Sequence, residues 1–221
     1  MSFGATVDHF ALADTQLLLQ SSSKTPNNQN AQALGDAGDV ECETVFEEYF
    51  NYSCEYKLSG GLAFVLDTNV KVGDIISDIV VTAIDIATSN TDRPTITVSG
   101  TDFFGDDTGQ PTYSSGLTIQ PTKTAQDFDA IVLDADSRLN TGSIAISSQE
   151  SSVMGATGAR AAVDIYQARV EYTAELVSCT AIATATADTG WTPQPAGSNT
   201  ENAGYGGGNI TVFKNIARDV A

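Results

Sequence analysis

The chain has 221 residues, 41% of them apolar, and carries 28 acidic against 10 basic residues for a formal charge of -18. That length supports one generous β domain or two small ones, with a core that needs neither metal nor disulfide. The charge excludes wrapping of nucleic acid, whose phosphates are held mainly by Lys and Arg, and it repels DNA or anionic membrane from whatever surface carries it.

Residues 1 to 39 open with a mildly apolar stretch through Leu19 and pass into SSSKTPNNQNAQALGDAGD. Rich in Ser, Asn and Gln and poor in anything that packs, this segment reads as a mobile polar arm, with Leu17, Leu18 and Leu19 as its anchor on the body or on a neighbour. The opening residues show no basic region followed by an apolar core, and no run of eighteen apolar residues occurs. Neither a secretory signal nor a membrane-spanning helix is expected.

Val40–Leu58, VECETVFEEYFNYSCEYKL, is the stretch around which the chain is organised. Its even positions are apolar or β-prone at all but Glu48, and most odd positions are charged or small and polar, which is strand periodicity. Val45, Phe46, Tyr49 and Phe50 also fit a helical stripe, but the aromatic and β-branched content favours a strand. Glu47 and Glu48 stand where the alternation slips, so a bulge there divides the strand into two arms. Extended, the stretch spans roughly 60 Å, against about 45 Å for a compact domain of this length. It must bend around its core or project beyond it, and projection implies a partner.

After a turn at Ser59-Gly60-Gly61 come a buried-type strand at Leu62–Leu66, a turn at Gly73-Asp74 and a β-branched run, Ile75–Ala87, of the kind covered on both faces. Ser89–Pro94 breaks that run and Thr95–Ser99 starts the next strand, at hairpin spacing and without βαβ units. Residues 101–116 read as a loop. Its Asp102, Asp106 and Asp107 lack the ligand alternation and closing Glu of an EF-hand, and LDADSRLNTG at 133–142 is a weaker calcium candidate still. Ala125–Ala135 is the best helix candidate after the opening segment, although Ile131–Leu133 reads equally as a buried strand. Gly142–Ser148 is a short strand, and GATGAR at Gly155–Arg160 is a loop without the Lys and Ser/Thr of a phosphate cradle.

Ala162–Ser178 has the cleanest alternation: Tyr166, Ala168, Val170, Tyr172, Ala174 and Leu176 form one smooth face opposed by Gln167, Arg169, Glu171, Thr173 and Glu175. Thr180–Ala187 alternates again. Asp188–Asn209 is a Gly-, Pro- and Asn-rich loop of a length that is usually functional or docked, and Ile210–Ile216 is a last strand. The fold expected is mainly β: an antiparallel β-sandwich or barrel with two long strands, long polar loops and one short helix. It divides into an N-terminal arm (1–39) and a sandwich domain (40–221) with the extended loop 188–209. No repeat of fixed period stands out, only a faint echo between EYFNYSCEYKL and VEYTAELVSCT.

No catalytic, cofactor or metal site is expected. The single histidine, His9, has no Cys or carboxylate at ligand spacing and reads as a packing or surface residue. No G-x-S-x-G elbow, GxGxxG after a strand, or paired Cys and His occurs. Glu47 and Glu48 face opposite sides of a strand and make a poor acid and base couple. Cys42, Cys54 and Cys179 have no CxxC spacing and read as small buried hydrophobes in a reducing cytosol.

The strand style of ATSNTDRPTITVSG (Ala87–Gly100) and AVDIYQARVEYTAELVS (Ala162–Ser178) resembles virion proteins of tailed bacteriophages, and tail-tube proteins in particular. The resemblance covers most of the chain and rests on texture rather than a diagnostic motif. It implies a β-sandwich subunit whose long strands join those of its neighbours into a continuous inner barrel, six subunits to a ring, with rings stacked around an acidic lumen through which DNA passes without sticking. It also implies synthesis in the host cytoplasm, a place in the virion, and copies of itself and other virion proteins as partners, with no specific nucleic-acid or membrane binding. Carried onto this sequence, Val40–Leu58 and Ala162–Ser178 are the barrel strands. Glu41, Glu43, Glu47, Glu171 and Glu175 take the lumen face, and Phe46, Phe50, Tyr52, Tyr166 and Tyr172 pack against the sandwich. The polar arm and the Gly-rich Tyr205–Asn209 exceed a minimal tube subunit and leave a head decoration or minor capsid protein as an alternative. A glycan-binding sandwich, stacking sugars on Trp191, Tyr205 and Tyr113, is an alternative of a different class.

Overall fold

The computed structural model describes residues 7–34, 36, 39–59, 64–89, 91–102, 112–113, 117–119, 128–158, 160–179, 182–194, 200–202 and 205–219. Its first half runs β1 (Leu17–Leu34), β2 (Val40–Leu58), β3 (Phe64–Val65), the one-turn helix α1 (Leu66–Asn69), β4 (Ile75–Ile76), β5 (Ile79–Ser89), β6 (Thr95–Asp102), β7 (Thr112–Tyr113) and β8 (Thr118–Ile119). Its second half runs β9 (Ile131–Leu133), β10 (Ser137–Met154), β11 (Arg160–Ser178), β12 (Ala185–Ala187), β13 (Thr192–Pro193), β14 (Thr200–Asn202), β15 (Tyr205–Asn215) and β16 (Arg218–Asp219).

Every described ladder is antiparallel, and the fold is mainly β and sandwich-like. Ten strands make one sheet along the path β1-β2-β6-β5-β10-β11-β15-β13, with β4 and β14 beside the path. This sheet is open rather than a closed barrel. Tyr52, Cys54 and Tyr56 of β2, Ile84 and Ile86 of β5, Ile144 and Ile146 of β10, and Val170, Tyr172 and Ala174 of β11 line its buried face. Phe10, Phe64, Leu66, Val70, Tyr113, Phe128 and Trp191, from the shorter segments, complete the core against them.

Four long strands replace the two expected. Residues 17–34, expected as part of a polar arm, form β1, because a hairpin partner decides the conformation of a sequence whose own preference is weak. Polar contacts fasten it to β2: the Lys24 ammonium lies 4.0 Å from the centre of the Phe50 ring and 5.1 Å from that of Tyr52. The Asn27 amide donates to the Tyr49 hydroxyl, and the amides of Asn30 and Gln32 donate to the Glu43 carboxylate at 3.1 and 3.2 Å. β10 likewise takes in residues 137–142 of the stretch weighed as a weak calcium candidate and extends the short 142–148 strand to Met154. The run Ile75–Ala87 folds back at Ser77 and Asp78, whose φ values of 52° and 65° give the mirror-image turn suited to hairpin twist. Within 188–209, expected as a loop, β13, β14 and the start of β15 are strands. Ile131–Leu133 is a strand, and residues 125–127 of the helix candidate lie outside the described residues.

The two long hairpins are copies of one another. All sixteen paired positions of β1 and β2 recur in β10 and β11 at 120 residues' distance: Leu17 opposite Leu58 becomes Ser137 opposite Ser178, and Leu34 opposite Val40 becomes Met154 opposite Arg160. The three irregularities recur too, between Leu19/Ser21, Asn27/Gln29 and Ala33/Leu34 in one hairpin and Leu139/Thr141, Ser147/Gln149 and Val153/Met154 in the other. The middle one on β2 falls at Glu47 and Glu48, where the sequence pattern slips. The flanking strands follow the same plan. Tyr52 opposite Gly100 matches Tyr172 opposite Val212, and Val80 opposite Thr101 matches Thr192 opposite Phe213. A ring contact recurs one residue out of step with this match: His9 meets Tyr52 edge-on at 5.1 Å, and Phe128 meets Tyr172 at 5.5 Å. The sheet is therefore two four-strand units in tandem, β1-β2-β6-β5 and β10-β11-β15-β13, joined at β5 and β10. The faint sequence echo is the trace of this, with Tyr52 matching Tyr172 and Glu55 matching Glu175.

Two substitutions test these features. A Cβ on Gly100 would lie 2.5 Å from the Val80 carbonyl oxygen and 3.2 Å from the Phe10 ring, so Gly100→Val is expected to destabilise the fold by roughly 1–3 kcal/mol, read as a fall in Tm. Gln167, at the middle irregularity of β11, has a φ of 52°, so Gln167→Gly is expected to stabilise by about 1 kcal/mol.

Candidate functional site

Because side chains alternate along strands, the face opposite the core is assembled from one residue in two. One row runs straight across the eight strands of the path: Ser21, Glu55, Thr97, Asp85, Ala145, Glu171, Phe213 and Thr192 stand opposite one another in succession. The neighbouring row is Ser23, Ser53, Ser99, Ala83, Ser147, Arg169 and Asn215. On the other side lie Lys57, Thr95, Ala87, Ser143, Thr173 and Thr211. None of these side chains is buried. Most of these side chains are short hydroxyl or methyl groups, among which the carboxylates of Glu55, Asp85 and Glu171 stand with Lys57, Arg169, Asn215 and Phe213.

Its cations are occupied. Lys57 pairs with Asp92 at 2.7 Å, and Arg169 pairs with Glu171 at 3.1 Å while lying 3.9 Å from the centre of the Phe213 ring. Glu171 also accepts from the Gln194 amide at 2.8 Å, and Glu175 accepts from Asn140 and Thr141 at 3.1 and 3.2 Å. Among the described residues no cation lies within ion-pair reach of Glu55, Asp85 or Glu175. The surrounding sheet withdraws enough water from the Asp85 carboxyl to push its pKa above the ordinary value, although the residue reaches solvent. The Lys57 hydrogen bond holds Asp92 below its usual range.

Of the expected lumen residues, Glu171 and Glu175 lie on this smooth face. Glu41 and Glu43 lie instead in the outer arm of the first hairpin, beyond the Glu47–Glu48 irregularity, and both are exposed. By the register match Glu43 corresponds to Val163, which is buried in the second hairpin. The extra residue in β2 thus reverses which positions face the core side, so Glu43 does not continue the face that carries Glu171. The side chains of Phe46 and Glu47 lie outside the described residues. Sequence reasoning missed Glu55 and Asp85. Glu55 was visible as the counterpart of Glu175; Asp85 was hidden in a run that reads as covered on both faces.

Of the expected sandwich aromatics, Tyr52 and Tyr172 are buried, while Phe50 and Tyr166 are each 37% exposed. Tyr166 is expelled by the extra residue at Gln167, which switches the buried set from Val163 and Ile165 to Ala168, Val170 and Tyr172. It stands instead in the wall of an open groove of about 640 Å³, with Gln167, Arg169 and Arg218. Phe50 sits past the edge of the core under the Lys24 ammonium. The stacking candidates are not at the surface either: Tyr113 is 4% exposed and donates to the Ile165 carbonyl at 3.0 Å, and Trp191 is 8% exposed beneath Lys214. The Tyr205 side chain lies outside the described residues. Cys54 is buried, but Cys42 and Cys179 are exposed thiols, contrary to expectation, because both lie at the ends of long strands. His9 packs on Tyr52, as expected of an ordinary packing residue.

No protein-family model matches the chain, and no curated protein matches it in sequence.

The Asp85 environment sets a pH dependence. Folding favours its protonated form, so its contribution to stability is complete below the ordinary carboxylate range near ~4 and is lost as pH climbs through the raised value. Asp85→Asn is expected to raise Tm at neutral pH and to give no such gain in acid, measured by thermal melts at both.

Proposed function

We propose that the chain is a structural subunit of a tailed-bacteriophage virion, self-assembling through its long strands into the tube that conducts DNA. The observation that carries this reading is the continuous row from Ser21 to Thr192, which crosses an open sheet on a smooth face whose cations are already paired. Duplex DNA is held by phosphate contacts to free Lys and Arg, so a surface of hydroxyls and carboxylates lets it slide past without capture. A sheet that carries such a face and ends, among the described residues, in strands paired on one side is completed by further copies without change of chemistry. The resemblance implies six subunits to a ring; because each chain here supplies two four-strand units, three chains supply six such units.

The alternative of a glycan platform loses support with the burial of Tyr113 and Trp191.

Gel filtration with light scattering, followed by electron microscopy of the same fraction, tests the reading. Rings or tubes of uniform diameter, in multiples of three chains of 23.1 kDa, are the expected result. A monomer at high protein concentration overturns it. Glu55→Lys combined with Glu175→Lys is expected to make assembled particles retain duplex DNA at low salt and release it as salt rises, read by gel shift. Particles of the double variant that ignore DNA would place this face away from the passage.

A further inference from the structure

The outer arms of the two matched hairpins are covered differently. Beyond its middle irregularity the second hairpin lies against the first unit, with Arg160, Val163 and Ile165 buried. Arg160 stands 4.0 Å from the centre of the Tyr49 ring and donates to the Thr101 hydroxyl at 3.1 Å. By the register match, the counterparts of Tyr49 and Thr101 in the second unit are Arg169 and Phe213, which pack on each other at 3.9 Å. Arg169 there forms part of the wall of the open groove of about 640 Å³, with Gln149, Tyr166, Gln167 and Arg218. The second unit therefore presents an open groove where the first unit is covered by a hairpin arm. The outer arm of the first hairpin is the reverse case: residues 28–34 and 40–45 are exposed on both faces of the ribbon, over a length of roughly 20 Å.

We propose that this groove receives the outer arm of the first hairpin of a second copy, as Tyr49 and Thr101 receive the second hairpin within the chain. Val40, Glu43 and Val45 hold the positions of Arg160, Val163 and Ile165, so they are the arm residues that face the groove. The charges are complementary, with their signs exchanged relative to the internal contact. Inside the chain a cation on the arm rests on an aromatic ring; between chains an arm with Glu41 and Glu43 and no Lys or Arg meets a groove that holds two of the chain's ten basic residues. The amides of Asn30 and Gln32 already orient the Glu43 carboxylate. Arg169 bonds Glu171 through Nη2, and Arg218 bonds Asp164 through Nη2. A guanidinium has five N–H donors, so either can take a further carboxylate without giving up its present partner. The apolar groups match as well, because Val45 on the arm and Tyr166 in the groove wall are both exposed and cover each other in the complex. The contact is made by side chains: the arm keeps its own hairpin pairing, and no strand of one copy extends the sheet of the other.

This contact rests on the proposed self-assembly, and the two fail differently. Val45→Cys and Gln149→Cys are made singly and together, with Cys42→Ser and Cys179→Ser to remove the exposed thiols, and treated with a short bismaleimide. The double variant is expected to give a ladder of cross-linked species on a denaturing gel, and a mixture of the two single variants a dimer and nothing larger. A link confined to single chains, or no link in particles that light scattering shows to have formed, overturns the contact while leaving self-assembly standing. Absence of particles from the unaltered protein overturns both. Charge reversal gives a second reading. Glu43→Arg and Arg218→Glu are each expected to raise the concentration at which particles dissociate by about tenfold, and the two together to bring it back toward that of the unaltered protein. Loss of the Arg218–Asp164 pair is common to the single Arg218→Glu variant and the combined one, so a combined variant no better than the worse single variant overturns the contact.

Discussion

Backbone amides and carbonyls must find hydrogen-bond partners, and among the described residues of the main sheet the two end strands, and the outer parts of β2, β10 and β11, are paired on one side alone. Six of the eight strands on the path have a neighbour on both sides; β1 and β13 have one each. β1 is the more telling, because it is 18 residues long and its outer edge is a template of matching length. Water can satisfy such an edge, so exposure alone costs little, but any strand of suitable register is an alternative to water. The devices that usually blunt an edge are present, in Lys24 and Pro26. They restrict which partner fits without removing the capacity to pair.

The second constraint is the placement of the irregularities. Each one inserts a residue on one strand of a pair and reverses the faces beyond it. In both hairpins the middle irregularity separates a half that rests on the core from an outer half. In the second hairpin the outer half still buries Val163, Ile165 and Arg160, and Arg160 pairs with Glu150 at 2.7 Å and lies 4.0 Å from the centre of the Tyr49 ring. This contact ties the outer half of one hairpin to the other hairpin. The outer half of the first has no such cover, with Val40 and Val45 exposed, so the two copies differ most where a neighbour would meet them.

Strand periodicity made β2 and the inner half of β11 legible, and the Glu47–Glu48 irregularity with them, because each places an apolar side chain at every second position. The antiparallel habit followed from the wet, charged face of those same strands. β1 was illegible because Ser, Asn and Gln carry no periodic signal, and the strand is imposed by its hairpin partner. The duplication was nearly invisible for a related reason: what the two halves share is register, which backbone pairing enforces, while the side chains diverged to Lys24 against Ile144 and Phe50 against Val170. Tyr166 was misplaced because a residue with positive φ at Gln167 resets the alternation, and glutamine gives no warning of that conformation.

Amide hydrogen exchange along β1, compared between dilute protein and the assembled fraction, addresses the open edge most directly. If a second copy pairs there, the exchange of Ser21–Asn27 slows on assembly, while the buried core strands β5 and β10 are slow in both samples. Assembled particles in which β1 exchanges as fast as in dilute protein would contradict the edge-to-edge joint.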